Sequence, residues 1–175
     1  MFHEAAGGFS HFGAACPNCG AIGLLSGHGD YCRYLTSFEN GEVIDYLVRP
    51  ERFLCNSCNT SHALLPDIVV PYCKYSLLFV LAALIAYFER TETVAETCDR
   101  FGISVSTIYA WKKRIAAHKD LMLGALISRK TPALAFLSDL TGGAGLSDAL
   151  RMFFCEYGFS FMQNRRAAAT RSRPP

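Results

Sequence analysis

The hydrophobic pattern of the chain changes period once, between Pro66 and Pro71. Before that joint, apolar residues come in short runs suited to strands. Residues 31–38 and 43–48 are rich in β-formers and flank Asn40-Gly41. Asn and Gly tolerate positive φ at both central positions of a two-residue turn, so this spacing predicts a hairpin. Pro50 ends its second strand. Residues 52–54 and 62–65 supply further short extended pieces. Gly27-His28-Gly29-Asp30 reads as a turn with a solvated histidine.

After the joint the period is helical. Residues 77–88 are apolar almost all round and predict a buried helix, starting near Tyr75, that is covered on several sides. The run is twelve residues long. A membrane span needs roughly 20, so no membrane is expected. Two shorter helices follow. The second of them is expected to extend to about Ser128. Another is predicted over 132–140, with Pro132 in its first turn. Residues 141–145 read as a break and 147–157 as a last helix. The Gly- and Ala-rich stretch 1–15 is expected to be a loose lead-in, and the basic stretch 164–175 a disordered tail.

Eight cysteines alter this picture. Four of them form two C-x-x-C pairs, Cys16/Cys19 and Cys55/Cys58, separated by 35 residues. Two such turns facing each other provide four soft ligands on a short radius, as structural Zn2+ requires. A catalytic zinc needs an open position, and four cysteines leave none. His62, four residues after Cys58, is expected to pack on the ribbon rather than replace a ligand. Cys32, Cys73, Cys98 and Cys155 lack ligand spacing. The start of the chain has no basic, then apolar, leader pattern, which points to reduced thiols in a cytoplasm. The predicted fold is therefore α+β. A small antiparallel zinc ribbon occupies residues 16–66, and an all-α domain follows over 67–163.

The net charge of +2 is unevenly placed. Residues 1–70 carry three basic against seven acidic groups, whereas residues 105–164 carry seven against four. Positive field for a polyanion lies in the second half.

Residues 93–117 carry the functional reading. Thr93 and Glu96 form a T-x-x-E capping box. Val94, Cys98 and Phe101 share a face, Gly102 ends the helix, and Ser104 caps the next. In that next helix Ile108, Trp111 and Ile115 form the inward stripe. Two short helices with a Gly turn predict a helix-turn-helix whose second helix enters the DNA major groove. Ser104, Val105, Ser106, Thr107 and Tyr109 are then nearest the bases, and Lys112, Lys113 and Arg114 face phosphates.

Ala95, Gly102, Ile103, Ser104, Thr107, Ile108, Tyr109 and Trp111 give this segment a pattern that resembles the helix-turn-helix of transposase and resolvase DNA-binding domains. Ala110 stands where that pattern often has arginine. More widely, the chain resembles a bacterial family of domains of unknown function associated with transposases. The likeness rests on Cys16-Pro17-x-Cys19-Gly20, Tyr31-x-Arg33-Tyr34, Cys55-x-x-Cys58, Ser61-His62-x-Leu64-Leu65-Pro66, Val70-Pro71-Tyr72 and Tyr75-Ser76, and on the helix-turn-helix. It implies a zinc ribbon joined to a DNA-binding helical domain.

No strand-rich segment after residue 117 is suited to holding a carboxylate triad. The sequence also has no H-x-H pair, no G-x-S-x-G elbow and no phosphate-binding glycine loop. A non-catalytic DNA-binding protein is expected, either a mobile-element accessory or a transcription regulator. Its expected partners are double-stranded DNA, a second copy of the chain, or a transposase or recombination protein. A protein-interaction adaptor and the front part of a split transposase are the alternatives.

Overall fold

The structure is a computed structural model, and it describes residues 14–142 and 145–164. The chain divides into two compact units. One comprises the residues through Leu35 with Asp45–Pro66; the other comprises Thr36–Ile44 and the residues from Asp67 onward. The architecture is α+β, with small antiparallel sheets in the first half and helices in the second. The expected lead-in and tail lie almost wholly outside the described residues.

In the first unit, β1 (Leu25–Asp30), β4 (Glu51–Cys55) and β5 (Ser61–Ala63) form one antiparallel sheet in the order β1-β4-β5. Leu25 lies opposite Cys55, and Phe53 lies opposite His62. The turn expected at Gly27-His28-Gly29-Asp30 is instead strand β1, with an irregularity between Gly27 and Asp30 and Gly29 at φ 77°. Glycine is a poor strand former, but pairing with β4 decides the conformation, and the irregularity absorbs the positive φ. His28 is exposed, as expected for a solvated histidine.

The predicted hairpin is β2 (Arg33–Glu39) and β3 (Glu42–Val48). Asn40 and Gly41 both have positive φ, 52° and 87°, the conformation a type I′ turn requires. The hairpin forms its own two-stranded sheet, and β5 joins β4 rather than the hairpin.

In the second unit, α1 (Leu77–Glu89) is capped by Ser76, whose side chain accepts the Phe79 amide at 3.1 Å. Thr36 donates to Lys74 and accepts from Ser76, both at 2.8 Å. These bonds hold the segment before α1 against β2. Helix α2 (Val94–Phe101) and α3 (Val105–Leu123) follow, then α4 (Ala125–Lys130), α5 (Ala133–Gly142) and α6 (Leu146–Tyr157).

The single helix expected through Ser128 ends at Leu123, because Gly124 adopts φ 73° and ψ 149° and leaves the helical region. Conversely, α5 runs on through Thr141 and Gly142, where a break was expected. The Thr141 hydroxyl bonds back to Leu137 O at 2.9 Å and extends the turn.

The core of this unit is aromatic. Phe79 meets Phe101 edge-on at 5.5 Å and Trp111 at 6.2 Å, and Tyr75 meets Trp111 at 5.2 Å. Edge-to-face contacts of this kind each add roughly 0.5–1.5 kcal/mol beyond area burial. No helix among the described residues is long and apolar enough to cross a membrane.

Candidate metal centre and candidate nucleic-acid interface

The two cysteine turns of the first unit repeat one backbone pattern. Gly20 donates to Cys16 O at 2.8 Å, and Cys16 donates to Ala21 O at 2.9 Å. Asn59 donates to Cys55 O at 2.8 Å, and Cys55 donates to Thr60 O at 3.0 Å. The residue after each second cysteine is left-handed, Gly20 at φ 75° and Asn59 at φ 56°. Glycine and asparagine are the residues that tolerate this conformation. It lets the chain turn back after each pair, so that Ala21 O and Thr60 O accept from Cys16 and Cys55.

The two turns thus bring Cys16, Cys19, Cys55 and Cys58 together, with all four Sγ atoms within 4.8 Å of one another. Cys16 lies 3.7 Å from Cys58, and Cys19 lies 3.7 Å from Cys55. These separations are far from the roughly 2.05 Å of a disulfide. They match the edge of about 3.8 Å of a tetrahedron whose sulfurs sit about 2.3 Å from a central ion. The donor set therefore fits a metal ion bound by four sulfurs.

Around the thiols stand groups that the cysteine spacing alone does not reveal. The Asn18 amide donates to Cys16 Sγ at 3.4 Å, and His62 Nε2 lies 3.3 Å from the same sulfur. His62 thus packs against a ligand candidate. Its place opposite Phe53 in the β4–β5 register puts it on the face that carries Cys55. The Asn18 side-chain amide donates to Thr60 Oγ1 at 3.3 Å, tying one turn to the other.

The thiols differ electrostatically. The Thr60 hydroxyl and the Asn18 side-chain amide hold Cys58 down, to about 5. At Cys19 the Ala21 backbone bond pulls downward, but desolvation and bonds with Cys58, Cys16 and Cys55 outweigh it and push the thiol up to about 11. Crowded acids ionise unequally, and a cation among them removes the reason for holding a proton.

The second candidate surface belongs to the other unit. Thr93 and Glu96 make both halves of the capping box at the start of α2. The Thr93 amide donates to Glu96 Oε2 at 2.7 Å, and Glu96 N donates to Thr93 Oγ1 at 3.3 Å. The Thr93 amide, together with the Thr93 hydroxyl that donates to the same oxygen at 2.9 Å, holds the Glu96 carboxyl below its ordinary value. At the other end of α2, Gly102 has φ 60° and donates to Asp99 O, and Ile103 donates to Cys98 O at 3.0 Å. This is a Schellman termination, with buried Ile103 and Cys98 as its apolar pair. Ser104 then caps α3 by accepting the Thr107 amide at 3.2 Å.

Helix α3 buries Ile108, Trp111, Ile115 and, one turn further, His118. The opposite face, with Ser106, Tyr109, Ala110, Lys113 and Ala117, is exposed. Val105 and Tyr109 are 46% and 47% accessible, Ser104 is exposed, and Thr107 is half-buried.

The three basic residues expected to act together differ in placement. Lys113 is exposed at the centre of the open face. Lys112 lies to one side and donates from Nζ to the Tyr87 hydroxyl at 3.0 Å. Arg114 turns inward instead of facing outward beside Lys113. Its Nη1 donates to Met162 O at 3.1 Å, and burial pulls the guanidinium down. The Met162 amide in turn donates to His118 Nδ1 at 2.9 Å. The backbone of one residue is thus held by two side chains a helical turn apart. The physical reason is position: at 3.6 residues per turn, Arg114 lies only about 40° around the helix from buried His118.

A model of a family described as a domain of unknown function (DUF6431) matches residues 16–111, more than half of the chain. The match begins at the first cysteine of the cluster and ends at Trp111. No curated protein and no solved structure matches the chain.

Proposed function

The chain belongs to the DUF6431 family, and for this member we propose a zinc-stabilised, non-catalytic DNA-binding role. In this reading the first unit is a zinc ribbon, and Cys16, Cys19, Cys55 and Cys58 hold one structural Zn2+. Bound zinc would contribute folding free energy to a small sheet with little core of its own. His62 and the Asn18 amide would donate to the Cys16 sulfur and fix its direction.

Helices α2 and α3 act as the helix-turn-helix. Ser104, Val105, Ser106, Thr107 and Tyr109 approach base edges, and Lys113 approaches phosphate. The observation that carries this reading is the exposed face of α3. A helix buried on one side through Trp111 and Ile115 leaves Ser106, Tyr109 and Lys113 uncovered. Val105 and Ala110 offer only apolar contact, suited to a thymine methyl, so sequence preference is modest. A mobile-element accessory role, with a transposase-like partner, is the biological setting we propose for it.

Selection of bound duplexes from a random pool tests this reading, run on the metal-loaded protein with and without chelator. Enrichment of a short motif by the loaded protein supports it. Recovery no greater than from a protein-free control refutes it.

One observation favours a second reading, a protein-docking adaptor. With Arg114 turned inward, the open face carries fewer cations than expected, beside the exposed apolar groups of Val105 and Tyr109. Duplex affinity that does not respond to salt favours the adaptor.

A further inference from the structure

Tyr87 is absent from the residues that the helix-turn-helix pattern assigns to DNA, yet it stands beside one of them. It lies in the last turn of α1, half-buried, and its ring meets that of Tyr109 at 6.1 Å and 77°. The Lys112 ammonium sits beside both rings, 5.2 Å from the Tyr87 centroid and 5.8 Å from that of Tyr109. It also donates to the Tyr87 hydroxyl at 3.0 Å.

An ammonium has three protons and the phenol has one. The bond between them uses one proton of Lys112 and an acceptor site of Tyr87. Two ammonium protons and the phenolic proton remain to be donated elsewhere. A phenol that accepts from a cation is polarised and donates more strongly. The two groups sit a hydrogen bond apart, close enough to serve two oxygens of one tetrahedral phosphate. Contact with both rings limits the freedom of the lysine stem, so less order is lost on binding.

We propose that Tyr87 and Lys112 form a single phosphate clasp at the edge of the α3 face, the ammonium and the phenol each donating to a non-bridging oxygen of one backbone phosphate. This deepens the DNA-binding reading and rests on it. The clasp adds a contact from α1 to those of α3. It fixes the rotation of α3 about its own axis against the duplex, with Tyr109 forming the wall between the clasp and the base edges.

The test uses the full metal-loaded chain and a mixed-sequence duplex of about 20 base pairs, ample for such a unit. Fluorescence anisotropy is read across a potassium chloride series for the parent, Tyr87→Phe, Lys112→Met and the double variant. Tyr87→Phe keeps the ring and removes the donor. It is expected to weaken binding about fivefold with an unchanged salt slope, since no charge is removed. Lys112→Met is expected to lower the slope by about 0.9.

The double variant is expected to bind no more than about twofold more weakly than Lys112→Met, because the two groups act as one. A merely structural role for the hydroxyl would instead multiply the two effects, and that result overturns the clasp. Equal affinity of Tyr87→Phe and the parent overturns it too. Should Tyr87→Phe melt below the parent, Lys112→Met decides alone, and an unchanged slope sinks the clasp. If the parent binds duplex while both single variants match it, the clasp falls and the α3 reading stands. If the parent shows no salt-dependent binding, both fall together.

Discussion

Individual side chains set the most direct expectations. Cys16→Ser or Cys58→Ser removes one of four sulfurs that converge within 4.8 Å. Either is expected to reduce bound zinc from about one ion per chain to none and to unfold the strands of the first unit. Unchanged metal stoichiometry in the purified variant refutes the site.

Glu96 gives a pH signature. Its carboxylate is stabilised by the Thr93 amide and hydroxyl and titrates below its ordinary value. The cap is therefore complete above pH 4.5, the ordinary carboxyl value, and its contribution is lost as pH falls through the lowered one. The parent is expected to melt higher than Glu96→Gln at pH 7, with the difference closing as pH falls below 4.5 and through the lowered carboxyl value. A difference that is constant across that range contradicts the assignment.

These residues were also the most legible ones. The C-x-x-C spacing and the T-x-x-E box are local patterns whose chemistry does not depend on remote contacts. The inward turn of Arg114 was not legible. It depends on Met162, 48 residues away, whose carbonyl takes the guanidinium.

The secondary elements were readable where a cap or turn residue fixed them. Asn40-Gly41, Thr93, Gly102 and Ser104 each mark an end that the structure uses. The elements that escaped were decided by partners or by glycines of two-fold meaning. Strand β1 contains Gly27 and Gly29 and exists through its pairing with β4. Gly124 stops α3, whereas Gly142 lies inside the last turn of α5.

Trp111 anchors α3 among Phe79 and Tyr75. Trp111→Ala is expected to cost about 3–5 kcal/mol in chemical denaturation. Thr93→Ala is expected to cost about 1 kcal/mol by removing the helix cap. A cost for Trp111→Ala below that of Thr93→Ala contradicts this packing.

For the molecule as a whole, the two units are proposed to have separate sources of stability. Sulfur ligation is proposed to hold the first, and an aromatic and aliphatic core built on α1 holds the second. Removing the proposed zinc with a chelator is expected to leave most of the helical circular dichroism at 222 nm in place while the sheet is lost. Simultaneous loss of both signals contradicts independent stabilisation.

The central claim is that the open face of α3 meets a duplex. Its most direct test is the salt dependence of duplex affinity for the parent and Lys113→Glu, with both proteins melting at the same temperature. The account predicts an affinity that falls steeply with salt in the parent and is markedly weaker for Lys113→Glu. The slope for Lys113→Glu should be smaller by on the order of 0.9, because one phosphate is no longer neutralised. Identical titration curves for the two proteins, or a flat response in the parent, would contradict it.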